Sequence, residues 1–125
     1  NEVVVHTAKV AKICNFKVEI NSYLQEIAAD GIIIATPTGS TSYAFSVGAP
    51  VIDSKLKAFV LAPIAPFRQL AKPLVIGAES EIKISLLKGK DWILAIDGQY
   101  ERKLNAKDKV TMSISDKQAQ FVRLK

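Results

Sequence analysis

The sequence has very few of the side chains that build metal and disulfide sites. It contains one cysteine, Cys14, and one histidine, His6. A single thiol excludes an intrachain disulfide framework and a multi-cysteine zinc site, and a single imidazole argues against the common His-rich metal centres. No signal-peptide pattern is present. We therefore expect a cytoplasmic protein with no metal site of its own.

Long charge runs are also absent, although the chain is basic. The 17 Lys and Arg against 12 Asp and Glu give a net charge of +5, which favours anionic partners. The basic residues are scattered, however, and no aromatic side chains interleave with a basic stripe. A nucleic-acid interface would concentrate basic and aromatic side chains on one surface. We expect a solvated basic surface and no nucleic-acid partner.

One stretch, residues 31–52, has no charged side chain at all. It is not a membrane span, because it contains Pro37, Pro50, three glycines and seven hydroxyl side chains. A polar, uncharged, hydroxyl-rich segment inside a folded domain favours a binding role. The sequence thus predicts a ligand segment here and no membrane partner.

Short apolar or alternating segments recur along the 125 residues, which have 49% hydrophobic composition. Period-two alternation and short β-branched runs are typical of strands. The pattern predicts one all-β domain, residues 1–125, forming a sandwich or distorted barrel of about nine or ten short strands. One short helix is expected near residues 40–47. The expected strands are residues 3–5, 16–20, 23–28, 32–34, 58–61, 73–76, 82–86, 92–96, 110–114 and 118–124.

The segment that could carry chemistry is a strand followed by a glycine turn and a helix start, with Gly39 at the turn. The free N–H groups of a helix N-terminus suit a phosphate or another acceptor-rich group, and Ser40, Thr41 and Ser42 add uncharged donors. A well-capped helix that binds nothing has the same pattern. The loop is not a Walker A motif, because no Lys-Ser/Thr pair follows the glycine.

Three motifs together resemble those of the NAD kinases. Thr36-Pro-Thr-Gly-Ser-Thr-Ser-Tyr43, preceded by Asp30-Gly31, is similar to the family signature. Asp97-Gly-Gln99 resembles a later Asp-Gly-Gln motif, and Asn1-Glu2 resembles a short Asn-Glu motif. The chain departs from the family in Gly48-Ala49-Pro50, where Gly-Gly-Pro is usual, and at Ser42, where Ala is usual.

The resemblance implies the C-terminal, all-β, NAD-binding half of an NAD kinase. Such enzymes transfer a phosphoryl group from ATP, or from polyphosphate in some members, to the adenosine 2′-hydroxyl of NAD, giving NADP. Mg²⁺ or another divalent cation would accompany ATP, and a homodimer or homotetramer is expected. The family's Gly-Gly-Asp-Gly motif and catalytic acid belong to a preceding α/β domain, and this sequence has no Gly-Gly pair. We expect the 125-residue chain alone to be inactive.

By the same resemblance, one set of positions would bind NAD. Asn1 and Glu2 would contact the adenosine and riboses. Residues 41–46 would bind the adenine, and Asp30 would face the nicotinamide end. Ala65 would line the pocket, Asp97 and Gln99 would belong to the nucleotide site, and Lys12 is a possible contact. The full set is Asn1, Glu2, Asp30, Thr41, Ser42, Tyr43, Ala44, Phe45, Ser46, Ala65, Asp97 and Gln99, with Lys12 as an additional candidate.

Two alternatives remain at this level. Diacylglycerol and sphingosine kinases resemble the same two-domain plan, so the chain could be the C-terminal domain of a related lipid kinase. It could instead be a non-catalytic β-sandwich module that binds a nucleotide or a partner. The motifs around Asp30–Tyr43 and Asp97–Gln99 favour NAD over a lipid.

Overall fold

The computed structural model describes residues 1–125 and confirms an all-β fold of ten strands with only short helical turns. The strands are β1 (Glu2–Thr7), β2 (Cys14–Ile20), β3 (Tyr23–Ala29), β4 (Gly31–Ala35), β5 (Ala58–Ile64), β6 (Leu74–Gly77), β7 (Ile82–Lys88), β8 (Trp92–Ile96), β9 (Tyr100–Leu104) and β10 (Lys109–Met112).

The strands form two antiparallel sheets. The six-stranded sheet has the order β6-β5-β4-β1-β8-β9, and the four-stranded sheet has the order β10-β7-β2-β3. Strand β1 is central in the larger sheet, between β4 and β8. Because both neighbours are antiparallel to β1, the start of β1 lies beside the ends of β4 and β8.

The main core lies between the two sheets, as the sandwich prediction requires. Phe16 of the smaller sheet and Trp92 of the larger one are both fully buried, with ring centroids 6.1 Å apart. The Trp92 indole N–H donates to the Asn105 carbonyl at 2.8 Å, so its polar atom is satisfied within the core. Alternate residues such as Ile32 and Ile84 fill the same layer.

A second apolar cluster covers the outer face of the larger sheet. Ile33 and Val60 point to this face and pack with Ala44, Ala49 and Ile52 from the connection between β4 and β5. Strand β4 is therefore buried on both faces, as its burial pattern shows. An all-apolar strand such as Ile32–Ile34 is what a doubly covered position requires.

The short helix is present where it was expected but is divided in two. A 3-10 helix spans Thr38–Thr41, and a single turn, α1, spans Tyr43–Ser46. Ser42 interrupts them with φ −100° and ψ −125°, outside the helical region. Neither piece has a side-chain hydrogen bond from its N-cap residue. Each is too short to provide the summed dipole of a long helix.

Three strand predictions differ from the structure. Residues 118–124 form no strand and are exposed, whereas β9, which the alternation did not reveal, is a charged edge strand with the sequence YERKL. Strand β5 continues through Pro63 to Ile64, beyond residue 61 where the expected strand ends. Strand β6 pairs only with Ala58–Leu61, so β5 is an edge at Pro63 and the proline is tolerated.

Candidate functional site

The structure brings the three sequence motifs together at one end of the central strands of the larger sheet, where β1 begins and β4 and β8 end. The register pairs Glu2 with Ala35 and Val3 with Ile96. The first motif therefore lies between the segment that begins at Thr36 and the turn that begins at Asp97. We call this group the strand-end site.

The first motif contacts the second through the backbone of Asn1. The Asn1 carbonyl accepts hydrogen bonds from the Thr36 N–H at 2.9 Å and from the Thr36 hydroxyl at 3.2 Å. The Gly39 N–H donates to the same hydroxyl at 3.1 Å. A Cβ at Gly39 would overlap the backbone of Asn1. Glycine is required here because two chain segments touch, rather than because of a positive φ.

The first motif contacts the third through Asp97. Its Oδ1 accepts from the Glu2 N–H at 3.0 Å and from the amino group of Asn1 at 2.7 Å, and its own N–H donates to the Glu2 carbonyl at 3.0 Å. Asp97 and Gly98 both have positive φ, 52° and 64°, as a tight hairpin turn requires. The Gln99 N–H closes the turn by donating to the Ile96 carbonyl at 3.0 Å.

These contacts lower the pKa of Asp97. The hydrogen bond from the Asn1 ammonium is the largest cause, followed by the one from the Glu2 N–H. If a residue precedes Asn1, the donor becomes a neutral amide and the lowering is smaller. The Asp97 Oδ2 accepts no hydrogen bond from the chain, and the Oε2 of Glu2 is buried with no partner. The strand-end site thus holds two carboxylate oxygens without a donor, one on the exposed side chain of Asp97 and one buried on Glu2.

The hydroxyls of the Thr36–Tyr43 motif have different roles. Ser40 is fully buried: its hydroxyl donates to the Pro37 carbonyl at 2.6 Å and accepts from the Ile52 N–H at 3.0 Å. The Ser40 hydroxyl thereby links Pro37 to Ile52, the start and the end of the segment that covers the outer face of the larger sheet. Thr41 and Ser42 are exposed. The sequence treats the three alike, and only burial distinguishes the structural hydroxyl from the two that can meet a ligand.

The helical turn α1 presents two aromatic rings to solvent. Tyr43 and Phe45 are 40% and 57% exposed, and Ser46 is exposed beside them. Ala44 points the other way and is fully buried against the sheet, so a ligand could reach only its backbone. Exposed aromatic faces next to exposed hydroxyls can stack on a planar base and hydrogen-bond its edge.

Tyr100 was not among the sequence candidates. It pairs with Ile96 across the turn that contains Asp97 and is 51% exposed. The available signal was its position directly after the Asp97–Gln99 motif. It adds a third exposed aromatic ring to the segments that form the strand-end site.

The remaining candidates lie at the other end of the larger sheet. Asp30 precedes β4, where its N–H donates to the Ile64 carbonyl at 2.9 Å and its carbonyl accepts from Thr7 at 2.7 Å. Six residues of nearly extended chain, about 20 Å, separate it from Thr36. Ala65 follows β5 and Lys12 lies in the loop after β1, both exposed. One chain does not bring these residues to the strand-end site.

No group of three or more His, Cys, Asp and Glu side chains is arranged to hold a metal ion. No helix has the length and apolar character needed to cross a bilayer.

Comparison with known proteins connects this geometry to a family. Residues 1–124 match the family described as the ATP-NAD kinase C-terminal domain. The NAD kinase of Methanothermobacter thermautotrophicus is 46% identical over 126 residues, which cover 99% of this chain and 44% of that protein.

Two solved structures are also similar. An NAD kinase from Archaeoglobus fulgidus in complex with ATP superposes with TM-score 0.84 and 36% identity, over 93% of this chain and 45% of that one. Yeast NADH kinase complexed with NADH has TM-score 0.82 and 27% identity, over 89% of this chain and 33% of that one. The chain spans less than half the length of these relatives. The family match and the shared fold show that the chain belongs to the ATP-NAD kinase C-terminal domain family.

Proposed function

We propose that this chain is the dinucleotide-binding part of an NAD kinase. The complete enzyme would transfer the terminal phosphoryl group of ATP, or of polyphosphate, to the adenosine 2′-hydroxyl of NAD and release NADP. One observation carries the proposal: three motifs meet at the same strand ends of the larger sheet, namely Asn1-Glu2, Thr36–Tyr43 and Asp97–Gln99. The ATP and NADH complexes of its structural relatives support a nucleotide at this fold.

The exposed groups of the strand-end site suit an adenosine. The free Oδ2 of Asp97 can accept from a ribose hydroxyl, a donor that a carboxylate binds well, and Glu2 can do the same once its buried Oε2 turns toward the ligand. Thr41 and Ser42 can hydrogen-bond the adenine edge, and the Tyr43 ring can lie against its face. Gln99, Phe45 and Ser46 lie at the margins, and Ala44 holds α1 against the sheet. A reacting 2′-hydroxyl would thus be fixed in position, and positioning is the main protein contribution to phosphoryl transfer.

Asp30 and Ala65 lie too far from the strand-end site of their own chain to share its ligand directly. Because they lie at the far end of β4, they could meet the same dinucleotide only if another copy of the chain supplied them. A homodimer or homotetramer is therefore part of the proposal. Size-exclusion chromatography with light scattering of the full-length protein tests it, and a monomer that retains full activity would contradict it.

The phosphoryl-transfer machinery would lie outside this chain. We propose that a preceding domain supplies the Gly-Gly-Asp-Gly motif and the catalytic acid, and that the divalent cation arrives as the ATP complex. The 125-residue chain, incubated with ATP, Mg²⁺ and NAD, should then form no NADP, whereas the full-length protein should. A cytoplasmic location completes the proposal, since the free thiol of Cys14 suits a reducing compartment.

The experiment is a kinetic comparison on the full-length protein. Glu2→Gln keeps the shape of the side chain and removes its charge, so the KM for NAD should rise about tenfold with a smaller change in kcat. Glu26→Gln, on the exposed side of β3, makes the same chemical change away from the site and should match the wild type. Equal KM values for the two variants would remove Glu2 from the site.

The same assay separates the two alternatives. The full-length protein should phosphorylate NAD and not diacylglycerol or sphingosine. Lipid phosphorylation without NADP formation would indicate the lipid-kinase relative. Binding of NAD without turnover by the full-length protein would indicate a non-catalytic module.

A further inference from the structure

The inner face of the larger sheet carries an unbroken row of apolar side chains near the end where β1 begins. Residues directly opposite each other on antiparallel strands point to the same face, and Val3 is opposite Ile34 on one side and Ile96 on the other. Ile34 belongs to the core between the two sheets, so Val3 and Ile96 also point to that inner face. The register extends the row across all six strands: Leu74, Leu61, Ile34, Val3, Ile96 and Tyr100.

The row is left uncovered where it crosses β8 and β9. Along β8 the inward-pointing side chains become more exposed toward the strand end, from the fully buried Trp92 through the half-buried Leu94 to Ile96, which is 37% exposed. Tyr100, opposite Ile96, is 51% exposed. The smaller sheet has four strands against six in the larger one, and it leaves this corner of the inner face open. We call Val3, Ile96 and Tyr100 the corner patch.

Neither the C-terminal segment nor the second copy required above accounts for this patch. Phe121, Val122 and Leu124 are apolar but are 73%, 88% and 94% exposed, so the C-terminal segment does not bury its apolar side chains here. The second copy would meet the dinucleotide beside the exposed rings of α1. That helical turn packs on the outer face of the larger sheet through Ala44, which is the face opposite to the corner patch.

We propose that the corner patch is the docking surface for an apolar area of the domain that precedes Asn1 in the full-length protein. The inference rests on the proposed function, which places the phosphoryl-transfer machinery in that domain, and this chain covers only 44% of the Methanothermobacter thermautotrophicus enzyme. A preceding domain would be joined at Asn1, two steps or about 7 Å from Val3 along β1. Tyr100 lies two strands, about 10 Å, from Val3. The whole patch is therefore within reach of a domain tethered at that point, and contiguous exposed apolar side chains are what such an interface buries.

The first experiment is limited proteolysis of the full-length protein. Ile96→Ser/Tyr100→Ser should make cleavage in the segment before Asn1 at least about fivefold faster, because an undocked domain leaves its connection open to the protease. Sites within residues 1–125 should stay resistant. Tyr23→Ser/Leu24→Ser removes a similar pair of side chains, 61% and 52% exposed, from the start of β3 and should be cleaved at the wild-type rate. Equal rates for the two variants would overturn the proposal.

The second experiment keeps an aromatic ring at position 100, so it does not depend on a polar substitution. A photoreactive benzoylphenylalanine in place of Tyr100 should cross-link, on irradiation, to residues that precede Asn1 in the same chain. The same probe in place of Tyr23 is the control and should give no such product. A cross-link from position 100 to a second copy or to residues 113–125, or no cross-link at all, would refute the docking surface. Because NADP formation is measured separately on the wild-type protein, that result would leave the NAD kinase proposal unaffected.

Discussion

Ser40→Ala should destabilise the chain although it removes a single oxygen. The hydroxyl bonds to the Pro37 carbonyl and the Ile52 N–H, and the Ile52 N–H is buried. An orphaned buried donor costs about 1–3 kcal/mol. The Pro37 carbonyl is partly buried and can recover some hydration, so it adds less. We expect a total loss of about 2–3 kcal/mol.

The assay is thermal and urea unfolding of the chain, followed by circular dichroism. For a domain of this size, the loss corresponds to a fall in Tm of roughly 6–15 °C. The matched control is Ser42→Ala, which removes the same atom from an exposed position two residues later and should change stability by less than about 0.5 kcal/mol. In the full-length protein Ser42→Ala should leave NAD binding intact, since alanine is the usual residue at this position of the family motif.

An unfolding free energy for Ser40→Ala within about 0.5 kcal/mol of the wild type would refute this reasoning. It would mean that the Ile52 N–H finds water or another acceptor, so that the segment covering the sheet is not held at this point. Loss of stability in both variants would refute the distinction between a structural and a ligand-facing hydroxyl.

Three further predictions follow from the same region and from the core. Gly39→Ala should cost about 1–3 kcal/mol and abolish NAD binding by the full-length protein, because its Cβ would overlap Asn1. Gly48→Ala is the control: a Cβ there meets nothing, so the variant should still bind, although the φ of +87° makes alanine cost about 1–2 kcal/mol of stability. The lowered pKa of Asp97 means that its carboxylate stabilises the fold above about pH 4 and that this contribution is lost as the pH falls through the native value. Acid titration of chain stability should therefore be shallower for Asp97→Asn than for wild type. Burial raises the pKa of the Cys14 thiol, so alkylation of the native chain should proceed only as fast as the chain opens.

Each of these has a result that contradicts it. NAD binding retained by Gly39→Ala would show that the backbone of Asn1 can move aside. Parallel acid titrations would mean that Asp97 does not contribute through its charge. Alkylation of Cys14 at the rate of a free thiol would show that the loop containing Gly89 does not cover it.

The sandwich could be predicted because most strands carry their own signal. Phe16, Val18 and Ile20 alternate with charged residues, and Ile82 and Ile84 do the same on the neighbouring strand. Strand β9 could not be found this way, since Tyr100–Leu104 is an edge with almost no buried side chain. The strand predicted at residues 118–124 failed for a different reason: a segment with apolar and polar residues forms a strand only where a partner edge pairs with it.

The sequence proposes the candidate site as a set of residues but not as a geometry. Motif resemblance selected Asn1, Asp30 and Asp97 together, yet nothing in the sequence states that β1 lies between β4 and β8. That sheet order brings Asn1 and Asp97 into contact and leaves Asp30 at the far end. Long-range strand pairing decides which candidate residues meet and which lie apart, and local sequence patterns do not specify that pairing.

The absence of charge in residues 31–52 has two causes that the sequence could not separate. The first is packing: β4 is buried on both faces, and Ala44, Ala49 and Ile52 cover the sheet, so a charge at any of these positions would be buried without a partner. The second concerns only the exposed remainder around Thr41–Tyr43, where charge would be tolerated and none occurs. A binding role therefore depends on these few residues rather than on the whole segment. Removing the exposed hydroxyl of Thr41 should impair ligand binding alone, while removing that of Ser40 should impair the fold that holds the ligand segment.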